Sequence, residues 1–268
     1  KFRGASNAVL SMTDEEIAGG VATHSSGNHA AALALAASQR GVPCYIVMPR
    51  TAPANKKAAV EAYGGIITFC EPTLEAREST LNQVVEQTGA VFIHPYNNPL
   101  VIAGQGTASL ELLQDVPGLD AVIAPVGGGG LLSGTTICAK SLKPDIHVIG
   151  AEPAMADDAM RSLREGRIIP SLNPRTIADG LLTSLGSITF AILSAYNTTI
   201  LTASEENIVR AMRLIWERMK IIAEPSSAVA LAIILEHSRY FRENFSRVGI
   251  IISGGNVDLQ NLPFPLVK

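Results

Sequence analysis

Four consecutive glycines follow a short apolar segment near the middle of the chain. Residues 120–124 (Asp-Ala-Val-Ile-Ala) have the character of a buried strand, Gly127, Gly128, Gly129 and Gly130 come next, and Leu131 opens a stretch with helical character. Only residues without a Cβ let the backbone wrap closely around an anion, and the N–H groups at a helix start carry partial positive charge. The pattern therefore favours a phosphate-binding loop over an ordinary flexible turn.

The residues around the four glycines also indicate which kind of phosphate is bound. No Gly-Lys-Ser/Thr follows, so the loop is not a Walker loop, and no acidic residue ends a strand about 20 residues later, as a dinucleotide fingerprint requires. Glu152 comes closest to that place. We therefore expect a cofactor that is held by a single phosphate rather than by a pyrophosphate.

Composition limits the classes of protein to which the chain can belong. Its 268 residues are 47% hydrophobic and 17% charged, with a net charge of −3, which suits a compact α/β enzyme and gives no reason to expect nucleic acid as a partner. The apolar runs are too short to predict a membrane span. Cys44, Cys70 and Cys138 lie far apart in apolar segments, so we expect buried, reduced thiols in a cytoplasmic protein. Because the sequence starts at Lys1, inside an apparent motif, we expect further residues before it.

Strands and helices alternate along much of the chain, which predicts right-handed βαβ crossovers and parallel sheets. Residues 20–97 read as a small α/β domain, and residues 1–19 together with 98–268 read as a large cofactor-binding domain whose N-terminal part is missing. A helix after Lys1 is expected to end at Gly19-Gly20, and residues 205–219 are expected to form one amphipathic helix.

Two more polar loops follow predicted strands. The first is Ser25-Ser26-Gly27-Asn28-His29, before an alanine-rich helix, and the second is residues 253–256, Ser-Gly-Gly-Asn. Ordinary helix capping explains any one of these residues, but several in a row favour a ligand site. Loops at the carboxyl ends of parallel strands are expected to converge on one crevice.

Carboxylates follow another predicted strand, residues 146–151. Glu152 comes directly after it, and Asp157 and Asp158 lie just beyond. They either provide favourable charges in the first turn of the next helix or bind a divalent metal through hard oxygen ligands. The residues alone leave both interpretations open.

Four motifs together resemble those of a known enzyme family. They are residues 1–5 (Lys-Phe-Arg-Gly-Ala), residues 25–29, the glycines 127–130 and residues 253–256. In order and spacing they resemble the pyridoxal-phosphate enzymes of fold type II, and among these the serine racemase and serine/threonine dehydratase family. The resemblance implies an α/β fold of the tryptophan synthase β type, with two three-layer α/β/α domains and mostly parallel sheets.

The family resemblance assigns cofactor contacts to particular residues. It implies that the amine of Lys1, which composition alone would place on the surface, bonds to the cofactor aldehyde. It also implies that Gly127, Gly128, Gly129, Gly130 and Leu131 hold the phosphate, which agrees with the reading from the glycines. Asn28 is similar to the residue that contacts the ring hydroxyl, and Ser253 matches the partner of the pyridine nitrogen.

The resemblance also assigns substrate contacts. Residues Ser25, Ser26, Gly27, Asn28 and His29 resemble the loop that binds the substrate carboxylate, and Arg77 falls where racemases have a carboxylate-binding arginine. From the sequence alone, Arg77 also fits a solvated helix position. Inversion at Cα needs a second acid or base on the face opposite the lysine, and Ser26 is the candidate, where many threonine dehydratases carry alanine.

The resemblance extends to regulators and assembly. Glu152, the carbonyl of Ala156 and Asp158 match the divalent-cation site of the racemases, which implies Mg²⁺, or Mn²⁺ or Ca²⁺. Such racemases are stimulated by magnesium with ATP at a homodimer interface. The match of residues 94–96 to that region is only partial, so ATP is the less supported of the two activators.

The sequence therefore predicts a serine racemase that interconverts L- and D-serine and also dehydrates serine to pyruvate and ammonia, with L-threonine as a slower dehydration substrate. Lys1 and Ser26 are the predicted catalytic residues. One alternative is a catabolic threonine or serine dehydratase without racemisation. A more distant one is a nicotinamide-dependent dehydrogenase built on the glycine loop, and a third is a non-catalytic relative, although the chain retains its lysine and polar loops.

Overall fold

The structure is a computed structural model that describes residues 1–25, 27–52 and 54–264, with Asn55 described by its backbone. The chain divides into two compact units, Lys1–Gln105 and Gly106–Lys268. Within the described ranges, no helix combines the length and the apolar character that a membrane crossing requires.

The first unit is built on a parallel sheet with the strand order β3-β2-β1-β4. The alanine-rich helix α2 supplies much of its core, because the small side chains of Ala30, Ala34 and Ala37 let the helix lie close to its neighbours. This helix ends at Gly41, whose φ of 78° is the left-handed conformation that favours glycine. The elements are α1 Phe2–Leu10, β1 Val21–His24, α2 Asn28–Arg40, β2 Cys44–Pro49, α3 Ala54–Ala62, β3 Ile66–Cys70, α4 Leu74–Thr88, β4 Val91–Phe92 and α5 Pro99–Asp115, which contains the unit boundary.

The second unit contains another parallel sheet, with the strand order β7-β6-β5-β8. Its central strand β5 is buried along its whole length, as expected for a strand covered on both faces. Because β5 and β8 are paired neighbours, the chain leaves both strands at the same edge of the sheet. The elements are β5 Ala121–Pro125, α6 Gly130–Leu142, β6 His147–Pro153, α7 Asp158–Glu165, α8 Ser187–Ala195, β7 Thr199–Ala203, α9 Glu205–Leu214, α10 Pro225–Glu236, α11 Ser238–Asn244 and β8 Val248–Ile250.

The expected helix boundaries differ from the structure at two places. Helix α1 ends at Leu10 rather than at Gly19-Gly20, because Thr13 and Glu16 bond to each other's backbone N–H groups and form a separate turn. The helix expected over 205–219 is α-helical only to Leu214 and continues as a π-helical turn, Ile215–Met219. The division into domains at residues 20 and 97 stays a prediction.

Candidate active site

The four glycines form the turn between β5 and α6, as the sequence predicts. Gly129 precedes α6 with a φ of 87°, and in the described part of the chain no side chain caps this helix start. A Cβ on Gly129 would lie 2.8 Å from Thr189 Cβ, and a Cβ on Gly127 would lie 3.0 Å from Leu181 Cα. Side chains are thus excluded from the turn, so its N–H groups and those of the first helical turn remain accessible to an anion.

The hydroxyl of Thr189 fixes the orientation of one peptide in this turn. Thr189 lies in α8, is fully buried, and its Oγ1 donates a hydrogen bond of 2.8 Å to the carbonyl oxygen of Gly128. Thr189 Oγ1 also accepts a bond of 2.9 Å from the N–H of Gly186. Because it is bonded to Thr189, the carbonyl oxygen of Gly128 is less able to turn toward an anion bound in the turn, which it would repel. The geometry therefore fits the phosphate of a cofactor.

Ser253 follows β8, the neighbour of β5, so the glycine turn and the loop of residues 253–256 leave the same edge of one sheet. Strand β8 ends at Ile250, and residues 251 and 252 connect it to Ser253. The side chain of Ser253 is exposed within its unit. Its hydroxyl is therefore accessible to a ligand.

The carboxylates at the end of β6 and just beyond it form an acidic group, and Glu152 lies within the strand, which continues to Pro153 rather than ending at residue 151. Glu152 is 1% exposed, and its two oxygens accept hydrogen bonds of 2.8 and 2.9 Å from the N–H groups of Ala159 and Met160 in α7. Burial raises the pKa of Glu152 to about 8, and the nearby Asp158 carboxylate adds to this rise. Burial also raises the pKa of Asp158 to about 6. A cation would provide the positive charge that this group needs when it is ionised.

Asp158 and Asp157 differ in their partners. Oδ2 of Asp158 is buried without a hydrogen-bond partner among the described residues, whereas Asp157 forms an ion pair of 2.8 Å with Arg161. Ala156 is buried in a short 3-10 turn between Glu152 and Asp158. The described residues contain no group of three or more His, Cys, Asp or Glu that could hold a metal. A cation here would need the carbonyl of Ala156 in addition to the two carboxylates, and the partnerless oxygen of Asp158 fits such a ligand.

In the first unit, the polar loop connects β1 to α2. The N–H of Ser25 bonds to Val47, and Gly27 precedes α2, where no side chain caps the helix among the described residues. Asn28 is the first residue of α2. Ser26 lies outside the described residues. The strand-turn-helix arrangement predicted for this loop is present on either side of that residue.

Three histidines lie in the same unit as Lys1. Lys1 Nζ donates a hydrogen bond of 3.2 Å to the carbonyl oxygen of Pro95, the residue after His94. His29 is buried, with Nε2 3.2 Å from the carbonyl oxygen of Ile93, and burial together with the charge of Lys1 lowers its pKa to about 3. Burial, His24 and Lys1 lower the pKa of His94 to about 4. These imidazoles are therefore neutral near pH 7.

The ring of His29 has a defined tautomer if Nε2 donates to Ile93. Nδ1 is then an acceptor, and it is buried without a partner among the described residues. His94 Nδ1 accepts bonds from the N–H groups of Tyr96 and Asn97, and the rings of His94 and Tyr96 meet edge to face at 4.6 Å. Both imidazoles thus act as neutral hydrogen-bonding groups in the unit that contains Lys1.

Two cations lie near this polar loop. Arg77 is in α4 and half-buried, and its Nε is buried without a partner among the described residues. Burial lowers the pKa of His24, the last residue of β1, and the charge of Arg77 lowers it further. Lys56 Nζ lies 4.0 Å from the point where a side chain on Gly27 would begin. An anionic group at the loop would therefore meet positive charge.

Sequence reasoning did not identify Thr189 or Lys56. Thr189 contacts a residue 61 positions earlier in the chain, and no local pattern predicts such a contact. Lys56 is one of two adjacent lysines on a helix, a position that is usually only solvated. Neither residue carries a signal that can be seen without the fold.

Comparison with known proteins decides the family. A sequence model described as pyridoxal-phosphate dependent enzyme matches residues 1–254. The chain belongs to this family of pyridoxal-phosphate-dependent enzymes. The likeness extends to solved structures, since maize serine racemase has a TM-score of 0.95 and 46% identity, covering 97% of this chain and 80% of that one. The predicted class of enzyme and its fold type are thereby confirmed.

Two characterised relatives are similar to the chain to nearly the same degree. One is the serine racemase of Dictyostelium discoideum, 54% identical over 264 residues, which are 98% of this chain and 82% of that protein. The other is the β-hydroxyaspartate dehydratase of Paracoccus denitrificans (strain Pd 1222), 53% identical over 264 residues, which are 98% of this chain and 83% of that protein. The family is known to include both racemases and dehydratases, so identity alone does not separate the two activities.

Proposed function

We propose that this enzyme interconverts L- and D-serine and, in a side reaction, dehydrates serine to pyruvate and ammonia. The observation that carries the proposal is the 54% identity to a serine racemase over 98% of the chain. The local geometry supports it, because the glycine turn suits a cofactor phosphate and the unit that contains Lys1 has cations suited to a substrate carboxylate.

The cofactor contacts are proposed residue by residue. Gly127, Gly128, Gly129, Gly130 and Leu131 bind the phosphate through backbone N–H groups, Ser253 contacts the pyridine nitrogen, Asn28 contacts the ring hydroxyl, and Lys1 bonds to the aldehyde. When bound, pyridoxal phosphate delocalises the negative charge that appears when the Cα proton leaves. A serine hydroxyl at the ring nitrogen does not need to protonate the ring, so this delocalisation is weaker than with a carboxylate partner.

The protein's own groups bind serine and move its proton. Arg77 and the loop Ser25–His29 bind the substrate carboxylate, and Lys56 adds positive charge beside Gly27. The amine of Lys1 removes the Cα proton on one face, and the hydroxyl of Ser26 returns a proton on the other face, which inverts the centre. The neutral histidines around Lys1 add no cation that would repel the protonated amine.

The Ser26→Ala variant tests the assignment of the two faces. It should lose racemisation by at least about a hundredfold, the low end of the contribution of a general acid or base, while it retains most of its elimination from L-serine. Chiral chromatography measures the first activity, and pyruvate formation measures the second. Equal losses of both would contradict the assignment.

Dehydration of β-hydroxyaspartate is the second candidate, favoured by the 53% identity to the Paracoccus enzyme. A dicarboxylate needs positive charge for two carboxylates, and Arg77 and Lys56 provide two cations in one unit. Turnover should be compared on L-serine, L-threonine and 3-hydroxyaspartate. A preference for 3-hydroxyaspartate that Lys56→Met abolishes would favour the second candidate, and a preference for L-threonine would favour a threonine dehydratase.

A divalent cation, Mg²⁺ or alternatively Mn²⁺ or Ca²⁺, is proposed to bind Glu152, the carbonyl of Ala156 and Asp158. At a hundred times its Kd such a cation stabilises the fold by about 2.7 kcal/mol, which raises Tm by about 5 to 10 °C. Asp158→Asn should abolish this rise. Asp157→Asn is the matched control, because Asp157 is paired with Arg161, and it should keep the rise.

If Mg²⁺, Mn²⁺ and Ca²⁺ all leave the Tm of the unmodified protein unchanged, the cation site is contradicted. Activation by ATP and a homodimer follow from the family resemblance alone, and a cytoplasmic location follows from the reduced cysteines that the sequence predicts. Turnover with and without ATP tests the activation, and sedimentation tests the homodimer.

A further inference from the structure

Two adjacent serines begin helix α10, and each accepts a hydrogen bond from a different loop of the second unit. Ser226 Oγ accepts a bond of 2.8 Å from the N–H of Gly180, and Ser227 Oγ accepts a bond of 2.7 Å from the N–H of Ser253. The N–H of Gly254 also points to Ser227 Oγ, at 3.4 Å. Ser226 is 3% exposed and Ser227 is 1% exposed, so water does not readily replace either hydroxyl.

The loop that Ser226 holds lies against the glycine turn. A Cβ on Gly127 would be 3.0 Å from Leu181 Cα and 3.4 Å from the carbonyl oxygen of Gly180. The short helical turn Asp179–Leu181 therefore forms the wall behind Gly127. Ser226 fixes the distance between this wall and α10.

The loop that Ser227 holds begins at Ser253, the residue proposed to face the ring nitrogen. A second bond fastens the same loop, because the N–H of Glu224 donates to the carbonyl oxygen of Gly254 at 3.0 Å. Gly255 approaches the backbone so closely that a Cβ there would lie 2.2 Å from the carbonyl oxygen of Ile222. The position of Ser253 is thus set from the start of α10.

Helix α10 is a rigid support for both bonds. Pro225 occupies its first turn, where a proline favours helix formation, and Ala228, Val229 and Ala230 are fully buried in the core of the unit. A change in one hydroxyl should therefore move the loop that it holds rather than the helix.

We propose that Ser226 and Ser227 are positioning residues that set the two ends of the cofactor site independently. Ser227 orients Ser253 at the ring nitrogen, and Ser226 holds the wall behind the phosphate turn. The proposal rests on the proposed function, because it takes the assignment of the glycines and of Ser253 from it. It adds that two neighbouring hydroxyls on one helix turn control two separate contacts.

The test compares Ser226→Ala with Ser227→Ala, each a matched control for the other. Apoprotein is titrated with pyridoxal phosphate, and the absorption spectrum and the ³¹P shift of the bound cofactor are recorded. Ser227→Ala should move the absorption maximum and leave the ³¹P shift unchanged. Ser226→Ala should move the ³¹P shift and raise the Kd about five- to tenfold, as expected for one lost buried hydrogen bond, with the absorption maximum unchanged.

The crossed pattern separates positioning from a general loss of structure, which would change both signals in both variants. If either alanine variant fails to fold, Ser226→Thr and Ser227→Thr keep the hydroxyl and should keep both signals of the unmodified protein. The proposal is overturned if the two alanine variants change the same signal, or if neither changes any signal while the unmodified protein binds the cofactor normally. If the unmodified protein takes up no pyridoxal phosphate, the proposed function itself fails.

Discussion

The molecule has two strand-turn-helix loops that are built in opposite ways. The loop between β1 and α2 is rich in polar side chains and shares its unit with Lys1 and three histidines, whereas the turn between β5 and α6 is four glycines whose side-chain space is closed by Thr189 and Leu181. The first loop presents polar side chains to a ligand, and the second presents only backbone N–H groups.

This difference separates two tasks that the proposed function requires. A turn without side chains can bind a phosphate but cannot move a proton, so changes there should alter the affinity for the cofactor. A loop of side chains near a lysine can move protons, so changes there should alter the rate at saturating cofactor. Three variants test this separation, and a fourth tests the burial of a histidine in the loop of side chains.

The largest effect is expected for Lys1→Ala. Loss of the group that removes the Cα proton should lower kcat for both racemisation and elimination by at least about a thousandfold, within the range of a general base. Product formation from L-serine at saturating pyridoxal phosphate measures it. Lys140→Ala, which removes a lysine whose ammonium group donates a hydrogen bond to the carbonyl oxygen of Pro144, should keep full activity. If Lys1→Ala retained a tenth of the normal kcat, the role of Lys1 in removing the Cα proton would be contradicted.

Gly129→Ala should weaken cofactor binding by about ten- to a hundredfold. Its Cβ would lie 2.8 Å from Thr189 Cβ, and its φ of 87° is unfavourable for alanine. Equilibrium titration of the apoprotein measures the Kd. Gly166→Ala is the control for the backbone effect alone, because Gly166 has a φ of 68° and nothing within 4 Å of its Cβ position. It should lower stability but leave the Kd unchanged, and an equal loss of affinity in both variants would contradict the phosphate role of the turn.

The buried imidazole of His29 should make stability depend on pH. Its pKa falls from 6.5 to about 3 on folding, so the unfolded chain binds more protons between these values, and the free energy of unfolding decreases as the pH falls below about 6.5. Between pH 7 and pH 5 the loss from this group is about 2 kcal/mol.

Urea denaturation at pH 7 and pH 5 measures this dependence. His29→Gln should reduce the difference between the two pH values, whereas His147→Gln, at an exposed position, should not. His94, whose pKa is also lowered, is unchanged in both variants and contributes equally to each. An unchanged difference in His29→Gln would show that burial of this ring is not what the pH dependence reports.

The smallest effect is expected for Thr189→Val, which keeps the shape of the side chain and removes the bond to Gly128. The Kd for pyridoxal phosphate should rise about fivefold, the value of one hydrogen bond, with kcat at saturation unchanged. Thr189→Ser should restore the affinity, and Thr198→Val, at a hydroxyl that has no partner among the described residues, should not change it. A fall in kcat without a change in Kd would reverse the roles given to the two loops.

The sequence was sufficient to predict those elements whose structure depends mainly on residues that are close along the chain. Strands and helices alternate as predicted, because period and capping are local signals. The glycine turn was predicted for the same reason. The predicted end of α1 at Gly19-Gly20 was wrong, because the residues after Leu10 form the separate Thr13–Glu16 turn instead of continuing the helix.

The positioning contacts could not be predicted from the sequence. Thr189 reaches Gly128 across 61 positions, and Ser227 reaches Ser253 across 26. Serine and threonine near a helix start usually cap that helix, so their residue types gave no indication that they hold distant loops. Such contacts exist only after the sheet has set the order of its strands.

The chirality of the serine that is recovered after the purified protein has been incubated with L-serine and pyridoxal phosphate is the most direct test of racemisation. We predict that D-serine forms together with pyruvate, and that neither forms with Lys1→Ala. Pyruvate without any D-serine would contradict racemisation and leave a dehydratase.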